Sequence, residues 1–102
     1  MLKEIRATRL VKGNDLNHHQ TLFAGRLAEW FTETCFLAAA RFLGKPHDLV
    51  CVKIHGLTFT HPAHPGDTVE IVAAPARAGR TSLTIGAEVF INDDPAVTIR
   101  GF

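Results

Sequence analysis

The chain has no tyrosine, one tryptophan, one methionine and two cysteines among its 102 residues, and each scarcity closes off a class of protein. Cys35 and Cys51, with no CxxC pair, cannot build a disulfide-dense secreted scaffold or a four-thiolate zinc site. A dominant charge is also missing. Eleven Lys and Arg nearly cancel ten Asp and Glu, so there is none of the long-range field from which nucleic-acid binders draw non-specific affinity. No apolar run approaches the ~18–20 residues that span a bilayer, and the start, MLKEIRATRL, carries charges where a signal peptide has its apolar stretch. The expectation is a cytoplasmic protein with neither nucleic acid nor membrane as partner.

What is present is an ordinary globular balance, 46% hydrophobic and 21% charged, at a length suited to one domain over residues 1–102. A domain this small buries a limited share of its surface, which favours association with a second copy.

Along the chain, residues 2–11 read as an edge strand and KGNDLNHHQ as a loop. From Thr21 to Phe42, Leu27, Trp30, Phe31, Thr34, Cys35, Ala38 and Phe42 recur at helical spacing, with alanines that favour helix. Gly44 and Pro46 follow as a stop signal. LVCVKIHGLTFT alternates and then shifts phase at Gly56, as a bulged strand does, and HPAHPGD is a turn. Thr68–Arg77 and Thr81–Ile91 alternate around a short reversal, a hairpin in which Pro75 belongs at an edge or bulge. After Asn92-Asp93-Asp94-Pro95 a last strand runs from Ala96 to Phe102. The order predicts an α+β domain, one helix packed on one antiparallel sheet.

The helix also carries a polar line, Arg26, Glu29 and Glu33 at i, i+3 and i+7, with Arg41 beyond. By itself this is a solvated face with ion pairs from Arg26 to Glu29 or Glu33, each worth ~0.3 kcal/mol. The residues around it suggest more. The pattern NHHxTLFxGRLxEWxxE, a strand, FxxPxxPGD and then GRTSL, from about Asn17 to Val89, resembles the acyl-CoA thioesterase branch of the hotdog-fold superfamily.

That resemblance implies a long central helix wrapped by a curved antiparallel sheet of about five strands, in a homodimer or a higher homo-oligomer such as a tetramer or hexamer. Active sites then lie at the subunit interface. It implies an acyl-CoA substrate, with coenzyme A as part of the substrate and no other cofactor. In the family, a loop before the helix and the amides of its first turn polarise the thioester carbonyl, and a helix carboxylate of the other subunit acts on water or on the carbonyl carbon. Helix N-terminal N–H groups suit the negative charge that develops on that oxygen, and a carboxylate serves as base or nucleophile.

Carried over residue by residue, Asn17 matches the loop asparagine and Gly25 the second of the family's paired glycines. Ala24 stands at the first of that pair and Gln20 at the family's loop glycine. The usual aspartate position is Thr32, so the catalytic set becomes Asn17, Gly25, Thr32 and Glu33, with Glu33 as the carboxylate one step along. That step turns a side chain by ~100°. Substrate contacts are expected from His18, Gln20 and Ala24, and from Gly79, Arg80, Thr81 and Ser82, where Arg80 would pair with a coenzyme A phosphate. The tip is also readable as a plain hairpin reversal. Relatives usually continue past Phe102, which implies either a short last strand or an incomplete C-terminus here.

Competing readings follow from the same residues. The replacement of the aspartate by Thr32 fits a non-catalytic hotdog module that binds an acyl thioester. A hotdog dehydratase or hydratase fits less well, since its helix and loop signature is missing. His18-His19 with His61 and His64 could ligate zinc, but no two share a helix face and no cysteine accompanies them, so no metal site is expected and His61 and His64 read as surface turn residues. His55 reads as a structural histidine, Trp30 and Phe31 as core, and Cys35 as inert core rather than a nucleophile.

Overall fold

The computed structural model describes residues 4–44, 61–92 and 94–99, the last six by backbone only. Within them the order is β1 (Ile5–Leu10), a short 3-10 turn (Gly13–Asp15), α1 (Ala24–Leu43), β2 (Thr68–Ala78), β3 (Leu83–Ile91) and β4 (Asp94–Ile99). These strands form one antiparallel sheet in the order β1-β2-β3-β4. One helix packed on an antiparallel sheet is the expected architecture. The strand expected over LVCVKIHGLTFT, with its Gly56 bulge and His55, lies outside the described residues, as do Cys51 and Pro46.

The core is a single apolar layer between helix and sheet. Period-two alternation puts Val69, Ile71, Ala73 and Pro75 on one face of β2, and the register sets them opposite Ile91, Val89, Ala87 and Ile85 of β3. All eight are buried. Against them α1 presents Leu27, Trp30, Phe31, Thr34 and Ala38, every one buried, a stripe at helical spacing. Full burial of each large apolar side chain is worth ~1.5–3 kcal/mol, so this seam holds the helix. Thr34, the polar member, donates its hydroxyl to the Trp30 carbonyl at 2.7 Å, which makes its burial tolerable. Cys35 is half-buried against the edge of this core.

Two element boundaries differ from the sequence reading. The helix begins at Ala24 rather than Thr21, because Asn17 and Thr21 are tied to each other in a loop that precedes it. The last strand starts at Asp94, two residues before Ala96. The helix end is as expected: Gly44 takes a left-handed φ of 72° and its N–H donates to the Ala40 carbonyl at 2.7 Å. Pro75 sits at a register shift between Pro75 and Arg77, where β1 no longer pairs with β2, so its missing N–H costs no ladder bond to β1.

The Pro65-Gly66-Asp67 turn extends the β1–β2 ladder. Gly66 (φ 90°) donates to the Val11 carbonyl, and Val11 donates back to Asp67, both at 2.9 Å. The Asp67 carboxylate accepts from the His64 N–H at 2.8 Å and from Asn92 Nδ2 at 3.1 Å. Asn92, itself left-handed (φ 51°), accepts at Oδ1 from the Thr68 N–H at 3.0 Å, stitching the β3–β4 turn to the start of β2. These contacts lower the Asp67 pKa below the ordinary 3.8: the His64 N–H bond most, then Asn92, then the His64 charge, with burial opposing.

A group lowered in the folded state contributes stability that is complete above its ordinary value and is lost as pH falls through the folded value. Asp67→Ala should therefore lower the urea midpoint above pH 3.8, with the gap to wild type narrowing as pH falls from 3.8 through the lowered folded value. A deficit that stays constant across that range would show that the carboxylate's charge is not what the fold uses.

Candidate active site

The loop between β1 and α1 is organised by two side chains. Asn17 closes it on itself. Its Oδ1 accepts from the His19 N–H at 2.8 Å and from the Thr21 N–H at 3.2 Å, and its Nδ2 donates to Thr21 Oγ1 at 3.0 Å. The backbones pair as well, Asn17 N–H to the Thr21 carbonyl at 2.7 Å and Gln20 N–H to the Asn17 carbonyl at 3.1 Å. At the tip Gln20 holds a φ of 64°, a conformation that favours glycine.

Asp15, buried, is the second organiser. Its Oδ2 accepts from the Lys12 N–H at 2.9 Å, its Oδ1 lies 3.2 Å from Arg26 Nε, and its carbonyl accepts from the Phe23 N–H at 2.8 Å.

This loop delivers α1 to its start without a side-chain cap. The N-cap residue is Phe23, whose side chain accepts nothing. Arg26 and Leu27 both donate back to the Phe23 carbonyl, at 3.0 and 3.2 Å. That leaves the N–H groups of Ala24 and Gly25 with no partner among the described residues, at the positive end of a 20-residue helix. At Gly25 a Cβ would fall 2.6 Å from the Phe23 ring. Glycine there lets the ring lie across the first turn.

Beside this turn opens a pocket of about 330 Å³ lined by Asn17, Thr21, Leu22, Ala24, Leu27, His61, Pro62, Ala63, Val69 and Ile91. The Leu22 N–H donates to the Ala63 carbonyl at 2.8 Å and docks the 61–63 segment against the loop. Asn17 and Ala24 both line this pocket, with Gly25 next to Ala24 in the first turn and Gln20 at the loop tip. His18 is exposed, its ring 4.0 Å from that of His19.

The other expected residues are not gathered here. Thr32 and Glu33 lie about 12 and 14 Å further along the helix axis, at 1.5 Å per residue. Thr32 is half-buried, and its hydroxyl has no partner among the described residues. Glu33 is 57% exposed and paired with Arg9 of β1. Arg26 therefore does not pair with Glu33. It contacts Glu29 at 3.3 Å, the Asn14 carbonyl at 3.4 Å and Asp15. Gly79, Arg80, Thr81 and Ser82 form an exposed hairpin tip, closed by the Gly79 N–H to the Ser82 carbonyl at 2.8 Å. It lies at the far end of β2, roughly 33 Å of strand from Thr68. Among the described residues no three of His, Cys, Asp and Glu come together.

Three residues gain a place that the sequence reading did not give them. His61, exposed in a bend as expected, also lines the pocket. Asp15 is a buried organiser, not just a loop former; an aspartate ahead of a helix was the available signal, but its partner Arg26 lies 11 positions on. Arg9 sits at the helix-facing position of β1 opposite Val69, where alternation after Ile5 and Ala7 puts it. From there it reaches Glu33 and lies 5.7 Å from the Trp30 ring centroid.

The strained loop tip gives a direct test. Gln20→Gly should stabilise the fold by about 0.5 kcal/mol, a rise of roughly 2–4 °C, and Gln20→Val should lower it by more than that, since a β-branched side chain suits positive φ least. Melts in which valine matches glutamine would remove the left-handed tip.

Residues 19–98 match the family model described as the thioesterase superfamily. Over 90 residues the chain is 31% identical to mouse (Mus musculus) acyl-coenzyme A thioesterase 11, covering 88% of this chain and 15% of that protein. An acyl-CoA hydrolase from Staphylococcus aureus, solved with butyryl coenzyme A, coenzyme A and coenzyme A disulfide, superposes with a TM-score of 0.83 at 26% identity, covering 96% of this chain and 58% of that one. A hexameric thioesterase from Yersinia pestis gives a TM-score of 0.82 at 23% identity, covering 93% and 79% respectively. The chain thus spans a small part of the mouse protein and under two thirds of the staphylococcal one. The helix on its sheet is the hotdog fold of these neighbours. With the match running from the end of the loop through the whole of α1 and most of the sheet, this chain belongs to the thioesterase superfamily.

Proposed function

We propose that the chain hydrolyses acyl-CoA thioesters at a site shared between two copies. The observation that carries this is the uncapped start of α1, where the N–H groups of Ala24 and Gly25 have no partner among the described residues and lie beside a pocket. Water attacks the thioester carbonyl carbon and the oxygen takes up negative charge. Two fixed amides at a positive helix end stabilise that charge more than the neutral carbonyl, which is what lowers the barrier. Collapse breaks the carbon–sulfur bond, and the thiolate leaves with the proton that water gave up, yielding a carboxylic acid and coenzyme A thiol. Asn17 keeps the loop closed so that the amides face the pocket.

The carboxylate is Glu33. Its distance from the first turn along one helix means that it acts on a carbonyl held by the other copy. Glycine-arginine-threonine-serine at residues 79–82, too far from the pocket along β2, meets the coenzyme A portion in the same way. Thr32 offers a hydroxyl to water or substrate. A homodimer or a hexamer like that of the Yersinia relative provides the arrangement. A cytoplasmic setting completes the reading; no described helix is long and apolar enough to cross a membrane.

A second reading, a module that binds acyl thioesters without hydrolysing them, is favoured by one observation: Glu33 is already held by Arg9 while Thr32 occupies the aspartate position. Hydrolysis of an acyl-CoA panel separates the two. Wild type should turn over, Glu33→Ala and Asn17→Ala should each lose about 100-fold in kcat, and Phe23→Asp should lose at least as much. That last variant places an acceptor and a charge on the first-turn amides, so its melting temperature should hold or rise while activity falls. Full activity in Glu33→Ala rejects the carboxylate. Acyl-CoA binding without turnover in wild type supports the module.

A further inference from the structure

We infer that Asp15 and Arg26 form a charge clamp behind the first turn of α1, in which Arg26 balances the buried Asp15 carboxylate so that negative charge can develop at that turn's amides; the inference rests on the thioesterase reading above. A helix start is ordinarily fixed by a Ser, Thr, Asp or Asn N-cap, whose side-chain oxygen accepts from the second or third amide of the helix. Such a cap would occupy the donors that the reaction needs. Here the cap position is Phe23, and the work passes to Asp15, eight residues upstream. Asp15 holds the turn at two points that are not those amides: its carbonyl takes the Phe23 N–H at 2.8 Å, and its carboxylate meets the Arg26 side chain, Oδ1 to Nε at 3.2 Å.

The burial of the pair makes its charge matter. The Asp15 side chain is 7% exposed and accepts one hydrogen bond, from the Lys12 N–H at 2.9 Å. Arg26 Nε is itself buried, close to the carboxylate but without hydrogen-bond alignment, so the contact is chiefly coulombic. The remaining Arg26 nitrogens reach outward, Nη1 to Glu29 Oε1 at 3.3 Å and Nη2 to the Asn14 carbonyl at 3.4 Å. A buried carboxylate one contact away from the first turn opposes a second negative charge forming there, unless a cation stands with it. Arg26 is that cation.

The two partners should therefore affect catalysis in opposite directions while affecting stability in the same one. Arg26→Gln leaves the carboxylate uncompensated; kcat should fall about tenfold with KM within about twofold. Asp15→Asn removes the charge and keeps an acceptor for Lys12; kcat should hold or rise. Both should lower the melting temperature. In the double variant kcat should recover to within about threefold of wild type although stability does not, and Arg26→Lys should retain most of kcat.

The measurement is steady-state hydrolysis of an acyl-CoA by these four variants, alongside thermal melts. Equal kcat losses in Asp15→Asn and Arg26→Gln, or a double variant no better than Arg26→Gln, would overturn the clamp and leave a purely structural ion pair. If Arg26→Gln does not fold, a fall in kcat for Asp15→Asn overturns it alone. Wild type that turns over no acyl-CoA overturns the thioesterase reading, and this assignment with it; wild type that is active while the double variant fails to recover overturns only the clamp.

Discussion

The structure depends on one seam, where Leu27, Trp30, Phe31 and Ala38 of the helix meet the buried faces of β2 and β3. Because those strands alternate and are locked in register, Val69 against Ile91 and Ile71 against Val89, the helix has one depth and one rotation at which its stripe is covered. Its first turn is then fixed in space with the rest. Leu27 and Ala24 line the pocket on one side, Val69 and Ile91 on another, so the apolar core and the polar site share walls. A change that shifts the seam shifts the donors.

The helix start forgoes the stability that a side-chain cap would add. Capping the first turn with a side chain would stabilise it by about 1 kcal/mol, and this chain has Phe23 there instead. Order is restored from outside the helix, by the Asn17 loop and by the buried Asp15. Gln20, held at positive φ in that loop, adds a further local cost at the same place. Among the described residues, a positive-φ loop residue and two amides without partners thus gather at one end of one helix, beside a pocket.

The polar line of α1 has been divided by the tertiary structure into separate tasks. Arg26 turns inward to Asp15, Glu29 stays with Arg26, and Glu33 goes to Arg9 on the neighbouring strand. Arg9 in turn lies near the Trp30 ring, an arrangement worth ~0.5–1 kcal/mol at an exposed site. Residues that look equivalent on a helical projection thus have different surroundings, and helical spacing cannot report partners that come from a strand.

Much of the fold was legible because its signals are local or periodic. The stripe from Leu27 to Ala38, the Gly44 stop, the alternation in β2 and β3 and the bulge at Pro75 each follow from spacing or from one residue's backbone chemistry. Asn17 and Ala24, near in sequence, line one pocket. What the sequence by itself determined, then, was the helix-on-sheet architecture and the family. Only the tertiary structure decided where the helix truly begins, that Asp15 and Arg26 meet behind that start, that Arg9 takes Glu33, and that His61 borders the pocket. Each of those joins residues distant along the chain or held by a loop's own hydrogen bonds. Their pairing is set by which surfaces the buried seam brings face to face, and no local pattern encodes that.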